Sequence, residues 1–528
     1  KPSSAASDVY KRQCKNYTPE KSSKITGVNA EVIRKTARIF ADAQPGMIYA
    51  GYAACKWLHG DLLQRAMLLM LALTGSTGKE GGGLQVANAP VARGMNQFGF
   101  SDVGPALRLI SATTWDYDHA DMKDLNEKMY GKELADNFDK HYKKSIEEDW
   151  FPDYSKSGWK MGIFAGNNGA NWRATGSFWR KTAFEELETI VSLTPDMGVT
   201  SMHSDYVLPI AHHYERDDLM LQSRVPYLQV LNEAVPPLGE SVDDWEANRR
   251  LAEAISKQAV ARGIKPIMDA VDGRSVRRDY TKTLELFTMG GRINNSKDVA
   301  QFIINTSHGL PKITFEELSE KGIVKVEGVD NTSWDNEESP YHTEVVRSVR
   351  EKKPYETFTG RQQFYIDHEW FIEFGETLPT YKEALSLKGY PMRMMMGHAR
   401  HGIHSTWRDE SFLLSLQRGE PDIYVNPDDA EERGVIDGDM VRIYNSAGEF
   451  SAMAHVSSGI QPGMLFMYHG WDPKMFKDQK NFGEVIPTGG LIKPTSMAGD
   501  YGHLGYQPLA YAPNQTYKDF TCDFEKSA

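Results

Sequence analysis

Thirteen residues, Gly397 to Asp409 (GHARHGIHSTWRD), hold two glycines, three histidines, two arginines, a serine and a threonine. They follow the apolar run Met392–Met396 (MRMMM), which reads as a short buried strand. A strand that opens into a Gly-rich, basic, hydroxyl-bearing loop is suited to cradling an anion. Glycines let backbone amides approach phosphate, and arginine adds charge-assisted, bidentate hydrogen bonds. On this loop His398, Arg400, His401, Ser405 and Arg408 are the candidate donors, with Gly397 as the pivot. The plainer reading of the same stretch is a solvated basic loop on a β-domain.

Two further stretches place chemistry-bearing residues at strand ends. Met161–Ala165 (MGIFA) reads as a strand that ends at Gly166, Asn167 and Asn168, either an Asn-rich turn or amides facing a nucleotide. Open α/β sheets bind nucleotides at the C-terminal ends of their strands. Met47–Ala50 (MIYA) is a short strand running into Gly51–His59 (GYAACKWLH), which puts Lys56 in a strand-end loop. A lysine desolvated there would have a lowered pKa and could pass protons or hold an oxyanion. The bland alternative is a snorkelling surface lysine. His59 reads as a structural hydrogen-bonder.

The elements that must position these residues follow from periodicity. Val32, Ile33, Thr36, Ala37 and Phe40 share one helical face behind an Asn29 cap, and Leu62–Leu73 is an apolar helix ending at Thr74-Gly75. Phe184–Leu187 reads as helix, and Thr189–Leu193 and Asp205–Pro209 as strands. Past about residue 385 the texture changes to strands and turns. Asn426-Pro427 starts a capped helix, Met440–Tyr444 is a strand, Ser446-Ala447-Gly448 turns the chain, and Phe450, Ala452, Ala454 and Val456 alternate.

The fold class is therefore α/β, with Rossmann-like αβα domains followed by a C-terminal β-barrel. The expected boundaries are 16–111 for the end of one α/β domain, 112–158 for a helical insertion and 159–270 for a second α/β domain. Residues 271–384 form an irregular linking region, and 385–528 form the barrel. Ser3–Gln13 (SSAASDVYKRQ) has no hydrophobic periodicity and resembles adapter-derived sequence, so residues 1–15 are set aside from the fold.

Composition excludes some partners. A net charge of −12 with no Lys/Arg-rich tract argues against nucleic acid. No apolar run reaches the ~20 residues of a membrane helix. Cys14, Cys55 and Cys522 form no CxxC pair, so neither a disulfide framework nor a self-contained zinc or iron–sulfur site is encoded, and no metal ligand is assigned.

Taken in order, Gly166–Asn168, the DYVLP segment (Asp205–Pro209), the GHARHGIHSTWRD loop and NPDDAEERGVIDGD (Asn426–Asp439) resemble the molybdopterin-dinucleotide oxidoreductases of the dimethyl sulfoxide reductase superfamily. TGRQQFYIDHEWF (Thr359–Phe371), LQRGEPDIYVNP (Leu416–Pro427) and AGDYGHL (Ala498–Leu504) narrow the resemblance to its type II branch. That branch holds the catalytic subunits of nitrate and selenate reductases and of dimethyl sulfide and ethylbenzene dehydrogenases.

The resemblance implies bis-molybdopterin guanine dinucleotide with molybdenum, gripped between the α/β domains and the barrel. It assigns cofactor contacts to Gly166, Asn167, Asn168, Thr200, Gly397, His398, Arg400, His401, Ser405 and Arg408, and to Tyr501, Gly502, His503, Asn514 and Gln515 near the C-terminus. Trp407 is either a wall for the pterin or core. Thr194 stands where many relatives carry an acidic residue that reads guanine or ribose, and Asp196 is the nearby substitute.

Lys56 is the candidate catalytic side chain, preceded by Tyr52 as in the hydrocarbon-hydroxylating branch. The metal-ligating Asp and an iron–sulfur cluster are expected only in an N-terminal part that this sequence lacks, so the chain is read as a truncated catalytic subunit. An iron–sulfur β subunit and a haem γ subunit are the implied partners, in the periplasm or, alternatively, at the cytoplasmic membrane face. Oxidation of a reduced organic or sulfur substrate is the first reading. Oxyanion reduction, or a metal-free scaffold subunit, are the alternatives; the retained Arg400, Ser405 and Arg408 argue against a scaffold.

Overall fold

The computed structural model describes residues 11, 14–51, 56–79, 81–86, 117, 121–148, 159–172, 179–221, 227–271, 274–307, 310–326, 346–355, 360–408, 410–416, 419–486, 493–496 and 518–527. The first α/β unit holds helices Pro19–Thr26, Ala30–Asp42 and Gly60–Leu73 with strands β1 (Met47–Ala50) and β2 (Gly83–Val86). The two strands pair in parallel, Met47 opposite Gly83. Asn29 caps its helix as the sequence suggests, its side chain accepting from the Glu31 amide at 2.8 Å. Where a helical insertion is expected, Met122–Tyr130 and Lys132–Glu147 form a helix pair turned at Gly131, which buries Phe138 and Tyr142.

The second α/β unit is a parallel sheet of β3 (Met161–Ala165), β4 (Thr189–Thr194) and β5 (Tyr206–Pro209) in the order β3-β4-β5. Ile190 and Val199 pack against Ala170, Ala183 and Phe184 to form its core. Parallel pairing aligns the three C-terminal strand ends, so Gly166–Asn168 and Thr194–Asp196 emerge on one edge.

The stretch read as an irregular linking region is more ordered than its polar texture suggests. Its β10 (Ile323–Lys325) joins an antiparallel sheet with β6 (Asp218–Leu221) and β7 (Tyr227–Leu231) of the preceding segment, and its β9 (Arg274–Arg278) pairs with β8 (Ile267–Val271) at the boundary. Helices Ser296–Thr306 and Phe315–Lys321 close over that three-stranded sheet around Leu228, Ile304, Leu310, Leu318 and Val326. Much of the polar content is capping: Asn295 accepts from the Asp298 amide, and Thr314 and Glu317 form a reciprocal capping box.

The barrel is closed. β11 (Met392–Gly397), β12 (Asp422–Val425), β13 (Met440–Tyr444), β14 (Glu449–Val456), β15 (Met464–Tyr468) and β16 (Thr521–Lys526) follow the order β11-β15-β12-β14-β13-β16. Phe450, Ala452 and Ala454 point inward as their alternation requires. β11, expected as a short buried strand, buries one face: Met392, Met394 and Met396 are buried while Arg393 and Met395 are not. A barrel wall has an outside, and every second residue faces it. β11 and β15 run parallel with Gly397 opposite Tyr468, so the residues following both strands open at the same barrel mouth.

Candidate functional site

At that mouth two strand ends converge. The His469 amide donates to the Gly397 carbonyl at 2.9 Å, which sets His398 beside His469. Ring centroids of His398 and His469 are 4.5 Å apart, those of His404 and His469 5.1 Å, and those of His398 and His404 4.9 Å. Their ring nitrogens lie within 4.8 Å of one another. The loop reaches this geometry through left-handed backbone at His404 (φ 52) and Trp407 (φ 68) and a bridge between Ile403 and Thr406.

Burial, reinforced by His398, His404 and Arg408, pushes His469 down from the ordinary 6.5 to about 4. His404 is lowered as well, by burial first and then by His398. A neutral imidazole offers one donor and one acceptor, which suits the amide and amino edges of a fused heterocycle. A histidine held neutral by the fold resists the proton that the unfolded chain takes up. Its contribution to stability is thus complete above 6.5 and is lost as pH falls toward about 4. Melting curves across that interval should fall for the wild-type chain and slope less for His469→Gln; equal slopes would count against a buried neutral His469.

Beneath the loop Arg408 is 2% exposed. Its Nη2 donates to the His469 carbonyl at 2.5 Å, and its guanidinium lies 4.4 Å from the Trp471 ring centroid. Desolvation lowers its pKa, and the charge of Asp472 opposes that. Asp472 in turn accepts from Asn171 Nδ2 at 2.7 Å, and Asn481 Nδ2 donates to Asn171 Oδ1 at 2.6 Å. Arg180 pairs with Glu484 across the same seam. The α/β edge and the barrel mouth are therefore joined by a buried polar network.

The loops themselves also meet. Asn168 Nδ2 donates to Ser405 Oγ at 3.0 Å, while Asn168 Oδ1 accepts from the Thr200 amide at 3.0 Å. Thr200 is buried, and its hydroxyl accepts from the Ala170 amide at 3.2 Å. Asn168 and Thr200, expected as ligand contacts, are thus engaged in holding the two loops together.

Gly166, with φ 57, and Asn167 are exposed at the strand end. A Cβ on Gly166 would meet nothing within 4 Å among the described residues, so the backbone there borders open space. Arg400, His401 and His398 are exposed on the loop, and Trp407 packs edge-on against His212 at 5.3 Å. Thr194 Oγ1 donates to Asp196 Oδ1 at 3.1 Å, which keeps that carboxylate at the end of β4. Tyr501, Gly502, His503, Asn514 and Gln515 lie outside the described residues, as does Tyr52.

Lys56 is half-buried and its carbonyl accepts from the Lys518 amide at 3.1 Å, which pins its backbone to the approach to β16. Lys518 Nζ reaches the Met396 carbonyl at 3.2 Å, so the Lys56 segment abuts the base of the histidine loop.

His469, Asn171, Asp472, Asn481 and His212 were not singled out from sequence. His469 carried a signal nonetheless: Met464–Tyr468 runs into an adjacent His469-Gly470 pair, as the Met392–Met396 run leads into Gly397-His398, with the two residues in the opposite order.

Two family models match the chain: Molybdopterin oxidoreductase over residues 12–254, and Molydopterin dinucleotide binding domain over residues 392–501. The chain belongs to the molybdopterin oxidoreductases. The respiratory nitrate reductase subunit alpha of Haloferax mediterranei is 33% identical over 97% of this chain and 54% of its own length. The perchlorate reductase subunit alpha of Dechloromonas aromatica is 33% identical over 96% of this chain and 54% of its own length. The dimethylsulfide dehydrogenase subunit alpha of Rhodovulum sulfidophilum is 30% identical, covering 98% and 57%.

This chain spans about half the length of the curated relatives it matches. These relatives are alpha subunits of the type II dimethyl sulfoxide reductase branch. The acetylene hydratase of Pelobacter acetylenicus superposes with a TM-score of 0.60 at 17% identity, covering 98% of this chain and 66% of that one, and so shares the fold. The loop expected to cradle an anion lies inside the matched dinucleotide-binding domain. No helix among the described residues is long and apolar enough to cross a membrane.

Proposed function

We propose that this chain forms part of the catalytic subunit of a molybdenum oxidoreductase. In this reading it holds bis-molybdopterin guanine dinucleotide between its second α/β unit and its barrel. The observation that carries the reading is the Asn168–Ser405 hydrogen bond, which sets a nucleotide-type strand end against the histidine loop. The donor set fits such a group. Neutral imidazoles at His404 and His469 suit pterin edges, Arg400 and His401 offer exposed donors for phosphate, and Gly166 and Asn167 border open space for a nucleotide.

When bound, the molybdenum centre would supply two-electron, oxygen-atom chemistry. This chain's residues would orient the cofactor, exclude water beneath the loop through Arg408 and Trp471, and move a proton at Lys56. A lysine facing the reaction favours oxidation of a reduced organic or sulfur substrate, as the name of the dimethylsulfide dehydrogenase relative describes. Oxyanion reduction is the second reading, favoured by the nitrate and perchlorate reductase names of the 33% relatives. Iron–sulfur and haem subunits, an iron–sulfur cluster in a further N-terminal portion, and a periplasmic location accompany the proposal.

The test is the full-length subunit purified with its partners under anoxic conditions. Two guanine nucleotides released per molybdenum atom are expected, with activity for dimethyl sulfide and an oxidised dye exceeding that for chlorate or nitrate with reduced viologen. Absence of molybdenum and guanine nucleotide would overturn the cofactor reading. Turnover of oxyanions alone would select the second reading.

A further inference from the structure

Away from the histidine loop, four ionisable side chains from three chain segments meet in a cluster. Lys493 and Glu376 are fully buried, with Lys493 Nζ 2.6 Å from Glu376 Oε2 and 2.7 Å from Asp61 Oδ1. The other oxygen of Glu376 lies 2.8 Å from His59 Nδ1. Arg65 braces the same segment by donating to the carbonyls of Glu376 at 2.7 Å and Thr377 at 2.9 Å. Removing a lysine and a glutamate wholly from water is costly, and packed apolar residues of similar volume generally stabilise a fold as well. A cluster of this kind contributes direction instead: it fixes where the attached backbone goes.

The backbone it fixes is the one that carries Lys56. Each residue from Lys56 to His59 is held by a separate contact. The Lys56 carbonyl accepts from the Lys518 amide, and Trp57 lies 5.3 Å from the Arg393 guanidinium. The Leu58 amide donates to Asp519 Oδ2 at 3.1 Å, and His59 meets Glu376. Arg393 and Asp519 are themselves paired at 3.1 Å, so the barrel grips one end of the tetrapeptide while the buried cluster grips the other.

We propose that Glu376 and Lys493 are positioning residues that seat Lys56 against the reacting centre, acting through His59 and the first turn of helix Gly60–Leu73. The inference rests on the reading of Lys56 given under Proposed function. A displacement of about 1 Å at a reacting group can cost on the order of 100-fold in rate. Loss of the cluster should therefore lower kcat while leaving cofactor content and KM unchanged.

The experiment is a double-mutant cycle in the full-length holoenzyme with its partners, assayed with dimethyl sulfide and oxidised dye and with chlorate and reduced viologen. Glu376→Gln alone should lower kcat by about 100-fold at unchanged molybdenum content. In a Lys56→Met background the same change should cost less than about twofold, because the group it seats is gone. Lys493→Arg should retain most activity and Lys493→Met should not. If Glu376→Gln does not accumulate, His59→Gln carries the same cycle from the more exposed end of the cluster. Equal losses in both backgrounds, or loss of molybdenum with Glu376→Gln, would overturn the positioning role and leave Lys56 untouched. Wild-type kcat in Lys56→Met alone would overturn the Lys56 reading, and the positioning role with it.

Discussion

Replacing Gly470 by alanine is expected to collapse the histidine loop. Gly470 has φ 96, a conformation that costs an L-residue about 1–3 kcal/mol. Strain is the smaller part. A Cβ there would stand 2.0 Å from the His404 carbonyl oxygen, 2.6 Å from its carbon and 3.2 Å from the Ser405 amide nitrogen. All three are backbone atoms, which cannot swing aside as a side chain would. The 398–408 loop must then move as a unit, parting His404 from His469 and straining the Ser405–Asn168 bond at 3.0 Å. Gly434→Ala is the control, because Gly434 also has positive φ (64) but its Cβ would meet nothing within 4 Å. Gly434→Ala should cost about 1 kcal/mol and leave cofactor content alone. Gly470→Ala should cost clearly more and strip molybdenum and guanine nucleotide from the full-length subunit. Denaturant melts and cofactor stoichiometry measure both, and equal behaviour of the two variants would show that the loop tolerates displacement.

The same pair of loops marks where sequence reasoning succeeds and where it stops. Periodicity and caps found the α/β units and the barrel because those signals are local: Asn29, Asn426 and the alternation over Phe450–Val456 each lie within one element. Asn168, Ser405 and Arg408 were legible as residue types, yet their roles were not. Asn168 and Ser405 bond across a sequence separation of 237, and no local pattern encodes it. His469 was missed because the parallel β11–β15 pairing that brings it to His398 joins strands far apart in sequence. The polar stretch after residue 270 hid a folded layer for a related reason. Its caps looked like loop composition, and its few apolar residues gain meaning only when Leu228 from β7 packs against Ile304 and Leu318. The Lys493–Glu376 pair carries no sequence signal at all, since one buried charge looks like any surface charge until its partner is placed.

Arg408 allows the structural and the ligand-binding contributions of one buried charge to be separated. With 2% exposure it stacks on Trp471, donates to the His469 carbonyl and faces the charge of Asp472. Arg408→Met leaves Asp472 buried without that cation. Breaking a buried pair costs about 3–5 kcal/mol. The lower end is expected here, because Asp472 keeps its bond from Asn171 Nδ2 at 2.7 Å and Lys474 at 3.8 Å. Arg408→Lys keeps the charge but loses the planar fork and the stack, so it should recover only part of the loss. Arg408→Met combined with Asp472→Asn removes both charges while Asn481 still holds Asn171, and should regain most of the stability. Cofactor content then decides the role. If Arg408 only balances Asp472, the double variant regains molybdenum and guanine nucleotide along with its melting point. If Arg408 also anchors the anionic end of the cofactor, as its place beneath the basic loop implies, stability returns and the cofactor does not. The second outcome is the expected one, because the charge balance lies within the chain while a phosphate would still have lost its cation.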